Sequence, residues 1–148
     1  MPDTYDRRCQ LGASRRRCED AQVLHDQGRW TGSIYLGGYA IECSLKSLIC
    51  DREGKTNFKD TRVFKQGLSG SQLHSLSKLL ESVPALQRAI ELDRTNRYRD
   101  AWNTVSDIWR NDSLRYSDKM GDEQESQRFI KAIKVLHRFI LDQQGETS

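Results

Sequence analysis

The stretch RWTGSIYLGGYAIECSLKSLIC, Arg29 to Cys50, decides how the rest of this chain is read. Ile34, Gly38, Ile41, Leu45, Leu48 and Ile49 recur at helical steps, so one helix would carry them as a continuous apolar stripe that needs a core. A second line on the same helix holds Tyr35, Tyr39, Glu42 and Lys46, at spacings of four, three and four. It ranges two phenols, a carboxylate and an ammonium along one side, an unusual lining for a helix flank. Gly37 and Gly38 fall mid-helix, where each costs about 1 kcal/mol relative to alanine. Close approach of another helix is the expected compensation.

With 148 residues, 36% of them hydrophobic, the chain suits one compact domain better than two. Charged residues make up 30% and the formal net charge is +3, a basic balance too mild to select nucleic acid on its own. No apolar run approaches membrane-spanning length, and the arginines near the N-terminus have no hydrophobic segment behind them. A cytoplasmic protein with no membrane association is therefore expected. Cys9, Cys18, Cys43 and Cys50 form no CxxC pair and no zinc-like spacing with histidine, so the expectation is no metal and no cofactor. Cys43 and Cys50, seven apart on the central helix, read as small packing residues in a reducing compartment.

Outward from the central helix, a basic segment, residues 1–13, precedes a helical domain, residues 14–142, and a polar tail, residues 143–148. A first helix is predicted from about Ser14 to Gln27, closed by Gly28. Arg7, Arg8, Arg15, Arg16 and Arg17 cluster at or before its start, where the macrodipole disfavours cations; they invite an anionic partner or are balanced by Asp6, Glu19 and Asp20. Asp51 to Ser71 has little periodicity and reads as a mobile surface loop. Leu73, Leu76, Leu79 and Leu80 mark a short helix with His74 at its start, and Pro84 opens another with Leu86, Ala89 and Ile90. After a polar interruption, Asp93 to Arg97, helical spacing resumes with Tyr98, Ala101, Trp102, Val105, Ile108 and Trp109. A connection, Asn111 to Gly121, leads to a last helix, Asp122 to Asp142, with core positions Phe129, Ile133, Leu136 and Ile140. Strand signals are nearly absent. The fold class is all-α, an up-and-down antiparallel bundle of four to five helices, with Leu45, Leu48, Trp102, Ile133 and Leu136 in its core.

Gly28, Tyr35, Leu36, Gly38, Tyr39, Ala40, Glu42, Cys43, Leu45 and Lys46 together resemble the characteristic helix of the HEPN domains, small helical bundles found in prokaryotes and in some eukaryotic proteins. His74 with Leu76, Leu79 and Leu80 resembles the family's short third helix. Trp109 with Leu114, Arg115 and Tyr116 resembles the connection to its last helix. The resemblance covers most of the chain. It implies either a metal-independent ribonuclease, usually dimeric, using an arginine and a histidine four to six residues apart, or a binding and regulatory partner, often beside a nucleotidyltransferase.

The nuclease pair is not intact. The positions that the pair would use beyond Arg115 hold Met120, Gly121 and Asp122, none of them histidine, and the nearest substitute is Lys131 with His137. RNA cleavage through the 2′-hydroxyl needs a proton-moving group and a cation on the developing phosphorane charge; lysine lacks the forked donors that suit phosphate. Arg115, Lys131 and His137 thus remain only weak catalytic candidates. His137 reads as a packed histidine bordering its helix's apolar stripe, and His74 as a local anchor. Tyr35, Tyr39, Glu42 and Lys46 read either as an interhelical polar seam, with Glu42 met by Arg115 or Arg97, or as a ligand groove shared with Arg115 and Tyr116. Lys131, Lys134 and Arg138, with Arg128 beside them, are candidate phosphate contacts. The reading favoured by these residues is a homodimeric, HEPN-like module that binds RNA or nucleotide without cleaving it. A degenerate ribonuclease toxin, or a protein-interaction subunit of a toxin-antitoxin or defence complex, are the alternatives.

Overall fold

A helix that is apolar or small on several sides at once must be buried on several sides, and the central stretch has this composition: Ser33, Gly37, Gly38, Ala40, Ser44 and Ser47 sit among its aliphatic residues. In the computed structural model, which describes residues 4–66, 74–109 and 121–146, it forms helix α2, Trp30–Glu53, and all of the residues just named are buried. Six further α-helices occur among the described residues: α1, Arg7–Asp26; α3, Arg62–Gln66; α4, Leu76–Glu81; α5, Pro84–Glu91; α6, Arg97–Ile108; and α7, Glu123–Asp142. A single 3-10 turn spans Phe58–Asp60, and no strand occurs among the described residues beyond an isolated bridge between Asp6 and Asn57. The all-α class holds. The segmentation is finer than four or five helices because the stretch between α2 and α6 carries three short ones.

Helix α1 starts at Arg7, well before the expected Ser14. The Asp6 carboxylate supplies the cap, accepting from the backbone N–H of Arg8 at 2.8 Å and of Cys9 at 3.4 Å. Its end is a Schellman closure on Gly28, at φ +77°, with the Gly28 N–H donating to His25 and the Arg29 N–H to Leu24. Ahead of α6 the Asp93 carboxylate takes the Tyr98 N–H of its first turn at 2.7 Å and the Thr95 N–H of the preceding turn at 3.0 Å.

Side-chain contacts fix the helix directions. Ser33 near the start of α2 donates to the Ala21 carbonyl near the end of α1, while Arg7 at the start of α1 meets Asp51 near the end of α2. The two are antiparallel. Helix α7 runs with α2: Gly37 faces Phe129 and Ile133, and Gln144 just beyond α7 donates to Ser47 at 3.0 Å. It runs against α1, where His25 meets Ser126 and Ser14 meets His137. Helix α6 packs against α7 with Tyr98 stacked on Phe139, ring centroids 4.0 Å apart. Leu45, Leu48, Ile133 and Leu136 are fully buried. Their enclosure is hydrophobic burial of the usual sort, about 25 cal/mol per Å² of apolar surface removed from water.

Several expectations change. The stretch from Asp51 is not simply a surface loop: α2 continues to Glu53, Phe58 is completely buried beside Tyr5 and Phe64, and the buried Thr61 hydroxyl donates to the Phe58 carbonyl. One aromatic anchor holds a polar segment onto the core. Its residues 67–71 lie outside the described residues, as do Leu73 and positions 111–120 of the later connection. Trp102 is only partly buried at the edge of the core, and Ala89 is exposed. The first residues of the polar tail are tied down: Glu146 pairs with Arg7 at 3.5 Å and Arg15 at 3.4 Å.

Candidate functional site

The second line of α2 is brought together as its spacing requires, but it is turned inward. Glu42 is 3% exposed and Lys46 4%, and the ammonium sits 2.9 Å from Glu42 Oε2. The carboxylate precedes the lysine by one turn, the more favourable order for such a pair. The Lys46 ammonium also lies over the rings of Tyr5 and Phe58, 5.8 and 5.6 Å from their centroids, so its remaining donors face π-electron density rather than water. It is not available to a phosphate.

Glu42 has a second partner that the sequence pattern did not supply. His74 Nδ1 lies 3.1 Å from both carboxylate oxygens, and because a carboxylate only accepts, the ring donates through Nδ1–H. Neither expected partner fills this role: Arg97 is exposed and lies over the Tyr98 ring, and Arg115 is outside the described residues. Tyr116 is outside them too. Tyr35 and Tyr39 are half-buried, their hydroxyls 3.4 Å apart and their rings edge to face at 5.0 Å. Trp109 closes the line. Its ring meets Tyr39 edge-on at 5.3 Å, lies over Gly38, and its indole N–H donates to the Tyr35 carbonyl at 3.1 Å. A methyl group on Gly38 would overlap that indole, and one on Gly37 would come within 2.9 Å of Phe129. Close approach is thus why glycine stands at both places, and the neighbours are α7 and Trp109 of the same chain. The line is an interhelical polar seam.

The last helix divides its own residues by the same rule. Lys131, Lys134, Arg138 and Arg128 are exposed, and none makes an ion pair or hydrogen bond among the described residues. His137 points the other way. It is 5% exposed and lies 3.0 Å from Ser14 Oγ. The Ser14 hydroxyl donates to the Leu11 carbonyl at 2.7 Å, so the imidazole is the donor, through Nε2–H. Burial, with the charge of nearby Arg15, lowers the imidazole pKa from 6.5 to about 4, leaving it neutral at pH 7. Six residues at 100° each separate Lys131 from His137 by a third of a turn, one outward and one inward; they do not face a common space.

Among the other titratable groups, His25 is held by Ser126 at 2.8 Å and lies against Trp30. Burial pushes the Cys43 thiol up to about 12 and that of Cys50 to about 11, which makes both poor nucleophiles. No group of histidine, cysteine and carboxylate side chains that could hold a metal ion occurs among the described residues. No helix among them is long and apolar enough to cross a membrane. Sequence reasoning missed His74 as the partner of Glu42 and Ser14 as the partner of His137, because both contacts join residues far apart in the chain. Comparison of the chain with family models, with curated proteins and with solved structures finds no match.

Proposed function

We propose that this chain is a HEPN-like binding and regulatory module that takes RNA or a nucleotide and does not cleave it. The observation that carries the reading is the outer face of α7, where Lys131, Lys134 and Arg138 stand exposed on successive turns without a counter-ion among the described residues. Solvated cations in a line suit a phosphate backbone, which exchanges its condensed counterions for them. The absence of cleavage is supported by His137, which is buried, neutral and turned away from Lys131. The α2 line, with its lysine consumed, belongs to the framework rather than to the binding surface.

The resemblance that suggests a HEPN-like bundle also suggests a homodimer. The glycines of α2 lend it no support, since Gly37 and Gly38 are covered within the chain. Static light scattering over a wide concentration range tests the dimer separately. The functional reading is tested by incubating the pure chain with labelled single-stranded RNA, without metal, at about 50 mM salt, where charge-driven binding is strong. Retarded but intact RNA is expected. Cleavage that is lost in His137→Ala would replace this reading with the ribonuclease toxin, and no association at low salt would replace it with a protein-interaction subunit, for example of a nucleotidyltransferase.

A further inference from the structure

The three tryptophans of this chain are used differently. Trp30 lies against His25, and Trp109 is locked against Tyr39 and the Tyr35 carbonyl. Trp102 has no ring partner and no hydrogen bond on its indole N–H among the described residues. It lines a groove between α5 and α6 with a volume of about 390 Å³, within the size range of small-ligand sites. Leu80 and Ile90, both buried, supply its apolar floor. Two amide side chains and one carboxylate line it as well, Gln87 and Glu91 from α5 and Asn103 from α6, and neither amide side chain makes a hydrogen bond among the described residues. The Arg99 guanidinium stands beside them. Its Nη2 donates to the carbonyls of Glu91 at 3.0 Å and Asp93 at 3.3 Å, which fixes the side chain across the end of α5 and leaves its other donors uncommitted.

These groups have complementary chemistry. An unstacked indole offers a π-face to a flat ring. Side-chain amides present a donor and an acceptor side by side, the arrangement that reads the hydrogen-bonding edge of a base. A held guanidinium suits a phosphate. We propose that the groove between α5 and α6 binds a single ribonucleoside monophosphate, with the base on Trp102, its polar edge on Gln87 and Asn103, and its phosphate on Arg99. The ligand class rests on the nucleotide reading above, but the groove shares no residue with the basic face of α7, so the two surfaces succeed or fail separately.

The test is a 1H–15N titration of the full chain with each of the four ribonucleoside 5′-monophosphates at low salt. The Trp102→Phe variant identifies which indole N–H signal belongs to Trp102. That signal is expected to shift saturably with at least one nucleotide. Trp102→Leu is expected to weaken binding about 5- to 150-fold, the range for loss of a base stack. Gln87→Ala and Asn103→Ala, at positions away from the closed core, are expected to weaken it too. Arg99→Ala should weaken the nucleotide and leave the matching nucleoside unchanged. The proposal is overturned if no nucleotide moves the Trp102 signal at millimolar concentration, or if affinity is the same in Trp102→Leu, Gln87→Ala and Asn103→Ala. Loss of the nucleotide-induced shifts in the Lys131→Ala, Lys134→Ala, Arg138→Ala triple variant would overturn it as well, and would leave the α7 reading standing.

Discussion

Two lines of polar residues at the same helical spacing have opposite fates here. On α2, Glu42 and Lys46 are drawn into the interior and Tyr35 and Tyr39 are half-buried, while on α7 Lys131, Lys134 and Arg138 remain in water. Periodicity says which residues share a side of a helix and is silent on what covers that side. The neighbours decide it. Beside the α2 line Gly38 lets Trp109 close against Tyr39, while Tyr5 and Phe58 cover Lys46 and His74 meets Glu42, so the charges of the line are satisfied internally. On α7 the stripe Phe129, Ile133, Leu136 and Ile140 already occupies the inner face, so a cation one step round the helix has only solvent. Glu42 and Lys46 are therefore satisfied within the chain, whereas the α7 cations are left to solvent.

The sharpest way to break this contrast is to remove one member of the buried pair. Glu42→Ala leaves the Lys46 ammonium enclosed without its carboxylate and is expected to cost about 3–5 kcal/mol in urea unfolding. The double variant Glu42→Leu with Lys46→Met should recover most of that loss, since a buried ion pair is often replaceable by apolar residues of similar volume. A cost below about 1 kcal/mol for the single variant, the scale of an exposed pair, would mean that the line is open to water.

Acid provides the next effect. The unfolded chain protonates His137 near pH 6.5 and the folded chain only near 4, so between those values the unfolded state binds more protons. Stability is expected to fall as pH drops through that window and to level off below it, by about 3 kcal/mol in all. His137→Leu should flatten this part of the curve of unfolding free energy against pH.

The glycines of α1 and α2 differ in the same way. Gly38→Ala forces the Trp109 indole to move and is expected to cost about 1–3 kcal/mol. Gly12, inside α1, has open space where a methyl group would stand and should behave oppositely, with Gly12→Ala gaining about 0.5–1 kcal/mol of stability by helix propensity. Thermal unfolding of the two variants side by side gives both signs in one experiment.

Much of the framework was legible in the residues. The aliphatic stripes of α2 and α7 keep their period through the whole helix, and Ile34, Ile41, Leu45, Phe129, Ile133 and Leu136 are all in the core. What escaped lacks a period. Phe58 is a single anchor in a polar stretch, with only Val63 and Phe64 nearby as a signal, and one residue carries no repeat to detect. The early start of α1 escaped because it rests on one cap, Asp6, ahead of residues too polar to form a stripe. At the candidate site, the i,i+4 pairing of Glu42 with Lys46 was present in the pattern, whereas the approach of His74 from 32 positions away depends on tertiary placement alone. The closing of the site by Trp109 was foreshadowed only by Gly38.

The outward role of the α7 cations is tested most directly by the slope of log affinity for single-stranded RNA against log salt. Three phosphate contacts give a slope of about −2 for the native chain, hence about a 20-fold loss of affinity between roughly 50 and 200 mM salt. Replacing Lys131, Lys134 and Arg138 together with alanine is predicted to bring the slope close to zero while changing stability by no more than about 0.5 kcal/mol per site, because all three are exposed and without ion pairs among the described residues. An unchanged slope in a variant that is still folded would contradict the account.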